Sequence, residues 1–156
     1  MSFVHLHLIL NHVPVIGSVF VLLLLALAWV KRSSEIGKLA IGFIVAIGVV
    51  SAVVFLTGEP AEEAVEHVAG VSDAVIHQHE DAAGLALVLA GTIGVMGLAT
   101  LLWYRRLAIP RVVMSVALVA TVALNAAMAW TAYLGGQIRH TEIRTSAGEV
   151  DRSDDH

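Results

Sequence analysis

His7, His12, Glu59, Glu62, His77, His79, Glu80 and His140 have side chains that hold transition metals, and their spacing brings several of them together. Neutral imidazole with ionised carboxylate is a ligand set for iron, zinc, copper or manganese. The chain has no cysteine, which excludes thiolate zinc sites, Cys-held iron–sulfur clusters, blue copper and covalently attached c-type haem. The His-Glu-x-x-His pattern of zinc proteases, phosphate-binding glycine loops and nucleophile motifs are all missing, so the sequence gives catalysis no support. The Glu-x-x-His spacing of ferritin-like di-iron bundles is missing too.

The elements that must position these residues are membrane spans. Of 156 residues, 58% are apolar and only 14% charged, a composition foreign to disordered and ordinary soluble chains. Four apolar stretches, Phe3 to Val30, Ile36 to Thr57, Ala82 to Tyr104 and Val112 to Leu134, are each long enough to cross a hydrocarbon core of about 30 Å as a helix. Ala26-Leu27-Ala28 resembles a signal-cleavage site, but the stretch before it has no basic leader and is too long for a signal core, so it is read as a retained span. The expected fold is an all-α membrane protein, an up-down-up-down bundle of four transmembrane helices. Residues 1–144 form that domain and residues 145–156 a polar tail.

Between the second and third spans, Thr57-Gly58 ends one helix and Glu59-Pro60 opens a short interfacial one, with Pro in its first turn. Its apolar stripe is Ala61, Ala64, Val65 and Val68, its polar stripe Glu62, Glu63, Glu66 and His67, and Gly70 closes it. Ser72 is the expected N-cap of a third helix running from about Asp73 to Tyr104, which overshoots the bilayer. Gly84, Gly91, Gly94 and Gly97 on that helix allow close helix contacts.

Basic residues set the orientation. Lys31, Arg32 and Lys38 follow the first span and Arg105, Arg106 and Arg111 follow the third, whereas the connection between the second and third has none. The two basic turns are therefore expected in the cytoplasm and both termini outside. Trp29, Trp103 and Tyr104 then suit the inner interfacial belt, Trp130 and Tyr133 the outer one. All eight histidines and every acid except Glu35 fall on the outer side. A helical rise of about 1.5 Å per residue, counted from the basic turns, places His12, Glu59, His79 and His140 about 28 to about 44 Å away, in one layer at the outer membrane face. Within it, His5 and His12 share a helix face, as do His77 with Glu80 and Gln137 with His140.

This layer has several readings. The first is a His/carboxylate metal centre for electron transfer or metal handling, drawing on the eight residues named above, with iron, zinc, copper or manganese bound. The second is haem b held non-covalently by His12 and His79, against which the surplus of carboxylates argues. The third is a quinol site, or a structural subunit, in which His and Glu accept protons. Plainer roles exist for individual residues: Glu62, Glu63 and Glu66 suit a solvated stripe, His5 and His67 an interfacial position, and His156 the tail. His12 stands apart because it lies inside an apolar helix, where an unpartnered imidazole is costly. Asn125 reads as an interhelical hydrogen-bonding group, and Met96, Met114 and Met128 as packing residues. Net charge is −4, which leaves neither a nucleic-acid footprint nor a general polybasic lipid-binding surface, so the partners expected are the lipid bilayer and a protein partner or second copy.

The segment His7-Leu-Ile-Leu-Asn-His12-Val-Pro14 resembles the start of a bacterial family of four-helix membrane proteins of unknown function, which opens with two histidines five apart and a proline two residues later. Gly135-Gly136 and His140 resemble the Gly-Gly pair and following His at the end of that family's last helix, with a shorter spacing here. The resemblance implies a bacterial inner-membrane protein that binds haem or metal. Glu59-Pro60-Ala61-Glu62 and His79-Glu80 lie outside it and rest on residue chemistry alone.

Overall fold

The computed structural model describes residues 3–63 and 73–139. Its elements are α1 (Phe3–Leu10), α2 (His12–Lys31), α3 (Ser34–Leu56), α4 (Gly58–Glu63), α5 (Asp73–Trp103) and α6 (Arg111–Arg139). Four helices are long and apolar enough to cross a membrane, with α1 and α2 together making the first span. The chain is an all-α, multi-pass membrane protein. Residues 64–72, with Glu66, His67 and the expected Ser72 cap, and residues 140–156, with His140, lie outside the described residues, as does the side chain of Glu62.

The first span breaks at Asn11, between α1 and α2. The cause lies in Pro14, which is buried in α2: it offers no N–H to the Leu10 carbonyl, and its ring crowds that oxygen. At the other end of α2, Arg32 adopts a left-handed conformation at φ 54° and its N–H returns to the Ala28 carbonyl. Ser33 then caps α3, its hydroxyl accepting from the Ile36 N–H.

The long helices pack in the cyclic order α2, α3, α5, α6, each against two neighbours, as an up-down-up-down bundle requires. The core is a column of Val21, Leu25, Ile41, Ile44, Ala86, Ala90 and Leu124, with their neighbours. Helices α3 and α5 approach most closely at glycine. A Cβ on Gly48 would lie 3.0 Å from the Ala90 carbonyl oxygen, and one on Gly94 would lie 3.6 Å from Gly48 Cα. Gly97 likewise meets Ile41, but Gly84 and Gly91 meet nothing within 4 Å, so only half of the expected glycine contacts form. Met114 and Met128 pack in the core as expected; Met96 does not, being 56% exposed on the face turned to lipid.

Helices α2 and α6 are tied by polar groups near mid-membrane. Asn125 Nδ2 donates to the Ser18 carbonyl at 3.1 Å and to the Thr121 carbonyl at 2.9 Å, while the Ser18 hydroxyl, 2.9 Å from the Val15 carbonyl, lies 3.3 Å from Asn125 Oδ1. Asn125 is thus an interhelical hydrogen-bonding group. Asn125→Leu is expected to lower stability by about 1 kcal/mol, the size of such bonds in membranes, as measured by reversible unfolding in detergent.

Candidate metal centre at one end of the bundle

Two imidazoles turn into the bundle at its acidic end. His7 on α1 meets the top of α3, its Nδ1 lying 3.2 Å from the Thr57 hydroxyl. His79 on α5 meets α6, its Nδ1 lying 3.0 Å from the Thr131 carbonyl. Both are half-buried. They come from helices that are far apart in sequence, α1 lying against α3 and α4 and α5 against α6.

The bonds fix which nitrogen carries the proton. A carbonyl oxygen only accepts, so His79 Nδ1 is the donor to Thr131. The single Thr57 hydroxyl proton goes to the Val54 carbonyl at 2.7 Å, so Thr57 accepts from His7, and His7 Nδ1 is also a donor. In their neutral forms both rings therefore keep the Nε2 lone pair for another group. This is the arrangement in which a second hydrogen bond orients a metal-binding imidazole.

Glycine makes room for one of the rings. A Cβ on Gly135 would lie 3.1 Å from His79 Cε1 and 3.4 Å from its Nδ1, so the imidazole packs on the bare backbone of α6. Gly136, its neighbour, has nothing within 4 Å. Beneath this level Ser51 is buried on α3, and among the described residues its hydroxyl is the buried side-chain polar group with no hydrogen-bond partner.

Other candidates stand elsewhere. His12 is exposed, and its Nδ1 donates to the Leu8 carbonyl of its own turn at 2.7 Å. His5 and His12 share a face as expected, but it is the outward one. His77 pairs with Glu80 at 3.1 Å as the i,i+3 spacing suggested, and both side chains are exposed. Glu59 is exposed at the start of α4. Among the described residues no three His, Asp or Glu side chains converge as a metal-binding group. Within the described residues the two candidates whose rings turn inward are His7 and His79. Thr57, Thr131 and Gly135 were missed as parts of a site. The available signal was spacing: Thr131 and Gly135 are four apart, on one face of α6.

Fold and site together define a four-helix membrane protein with two oriented histidines at one end of the bundle, His7 set against the end of α3 and His79 against α6. No family model, curated protein or solved structure matches the chain.

Proposed function

We propose that this protein holds a transition-metal ion between His7 and His79 at the outer face of a bacterial inner membrane, with both termini outside, and serves electron transfer or metal handling. The observation that carries this reading is the pair of Nδ1–H bonds, to Thr57 and Thr131, which leaves two Nε2 lone pairs on rings held in place. Imidazole pairs suit copper, zinc and iron; manganese prefers the oxygen ligands that here stand exposed. Two protein ligands leave coordination positions for an exogenous group or a redox partner, and so the reading includes a partner protein or second copy. The resemblance of His7, His12 and Pro14 to the bacterial family points the same way.

A second reading gives the pair to haem b. It is favoured by two imidazoles whose Nδ1–H groups are engaged and whose Nε2 lone pairs are available, since haem iron takes two axial nitrogens. The axial pair would then be His7 and His79, not His12 and His79.

An optical spectrum paired with elemental analysis of the purified protein tests both. A stoichiometric metal without a Soret band supports the ion, and a Soret band supports haem. Either signal should be lost in His7→Ala and in His79→Ala and kept in His12→Ala, whose ring faces away. Protein that carries neither metal nor chromophore, purified without chelators, would sink the proposal.

Orientation is checked separately. The chain has no cysteine, so a single cysteine engineered between residues 59 and 81 is a clean label site. Membrane-impermeant maleimide should reach it from outside; labelling only from the cytoplasm would reverse the topology.

A further inference from the structure

We propose that the end of the bundle opposite the histidines is a binding surface for the headgroup of an anionic phospholipid. The inference is independent of the metal reading. Two turns build this end: Lys31-Arg32-Ser33 between α2 and α3, and Tyr104 to Pro110 between α5 and α6. They are joined where the Ile109 N–H donates to the Ser34 hydroxyl at 3.0 Å, with Ile109 itself buried. That bond ties the two turns together at one end of the bundle, where Lys31, Arg32, Arg105 and Arg106 all stand exposed.

Charge is one-sided here. Glu35 is the sole carboxylate of this end among the described residues, and it faces Lys38 at 3.5 Å. Arg111 lies over the Trp29 ring at 4.6 Å, and Trp29 Nε1 donates to Ser115 at 3.0 Å, so this cation is held at the start of α6. The N-termini of α3 and α6 open on the same side and add their partial positive charge. The side-chain charge of this end is therefore strongly positive, with Glu35 facing Lys38 as its carboxylate among the described residues.

Two observations separate a lipid from a free anion. Trp103 is 77% exposed and Leu107 61% exposed, and the two bracket Arg105-Arg106. Leu107 lies in the turn, outside any helix, where an apolar side chain gains nothing from water but can enter the glycerol and upper acyl region. The second is Arg32. Its left-handed backbone, φ 54°, is a conformation that helix C-termini ordinarily give to glycine. An arginine there keeps backbone strain and places a cation at the membrane surface, which suits a role in binding more than one in folding.

The test uses the full chain in mixed bilayers of phosphatidylcholine with phosphatidylglycerol, and reads the lipid retained on the detergent-extracted protein by mass spectrometry. Phosphatidylglycerol should be enriched over its share of the bilayer. Arg105→Gln with Arg106→Gln should cut that enrichment by about tenfold, given the attraction of each cation near an anionic surface, and the Lys pair at the same positions should keep most of it. Arg32→Gly should cut the enrichment while raising the unfolding midpoint, a split that a purely structural arginine would not give. Retention in proportion to the bulk lipid, enrichment unchanged in the Gln pair, or equal protection by soluble inorganic phosphate would each overturn the proposal.

Discussion

Gly135→Ala is expected to weaken metal binding by about tenfold or more, the usual cost of disturbing the group that orients a ligand. The new methyl would stand 3.1 Å from His79 Cε1, tighter than ordinary contact, and 3.4 Å from the nitrogen that donates to Thr131. The ring cannot simply swing aside, because its Nδ1–H bond at 3.0 Å is made to the same helix that carries the methyl. Moving away stretches that bond and re-aims Nε2. Gly136→Ala is the control: its Cβ would meet nothing within 4 Å, so binding should be unchanged. Metal content, or the haem band if that is what His79 holds, read after equilibration against a competing chelator, distinguishes the two. Equal losses in both variants would mean that the Gly-Gly pair matters for the backbone of α6 and not for the imidazole packed on it.

Gly48→Leu should lower stability by about 3 kcal/mol, toward the upper end of what overpacking costs. Its Cβ alone would stand 3.0 Å from the Ala90 carbonyl oxygen, a backbone atom that moves only if α5 moves as a whole. Separating α3 from α5 would also open the Gly94 and Gly97 contacts and disturb α5, which carries His79. Gly91→Ala, on the same helix but facing open space, should change stability by no more than about 0.5 kcal/mol. Reversible unfolding in detergent measures both. A small effect at Gly48 would mean that the helices do not cross there.

Much of the architecture was legible in the residues. Span length and Asn125 as an interhelical group follow from local rules of length and polarity, and the structure has them at the expected places. The i,i+3 pairing of His77 with Glu80 was legible for the same reason. The choice between His7 and His12 was not. A histidine inside an apolar helix invites the inference that it needs a partner in the core, but His12 satisfies its Nδ1 on the Leu8 carbonyl one turn back and faces out. His7, nearer the end of the helix and less conspicuous, is the one turned inward, because α1 is set against the Thr57 end of α3.

The helix period says which residues share a face, and so His5 with His12, or Thr131 with Gly135, was fixed by spacing alone. Which face turns inward is a different matter. In water an apolar stripe points to the core; in a bilayer the surroundings are as apolar as the interior, and the stripe loses its direction. Exposed Leu23, Val95 and Val119 are as apolar as buried Leu25, Ile41 and Leu124. By itself the sequence determined four spans, their polar ends and the gathering of histidine and carboxylate at one of those ends. Tertiary packing, through the seating of α1 on α3 and α4 and of α5 on α6, decided that His7 and His79 face inward and that His12 does not.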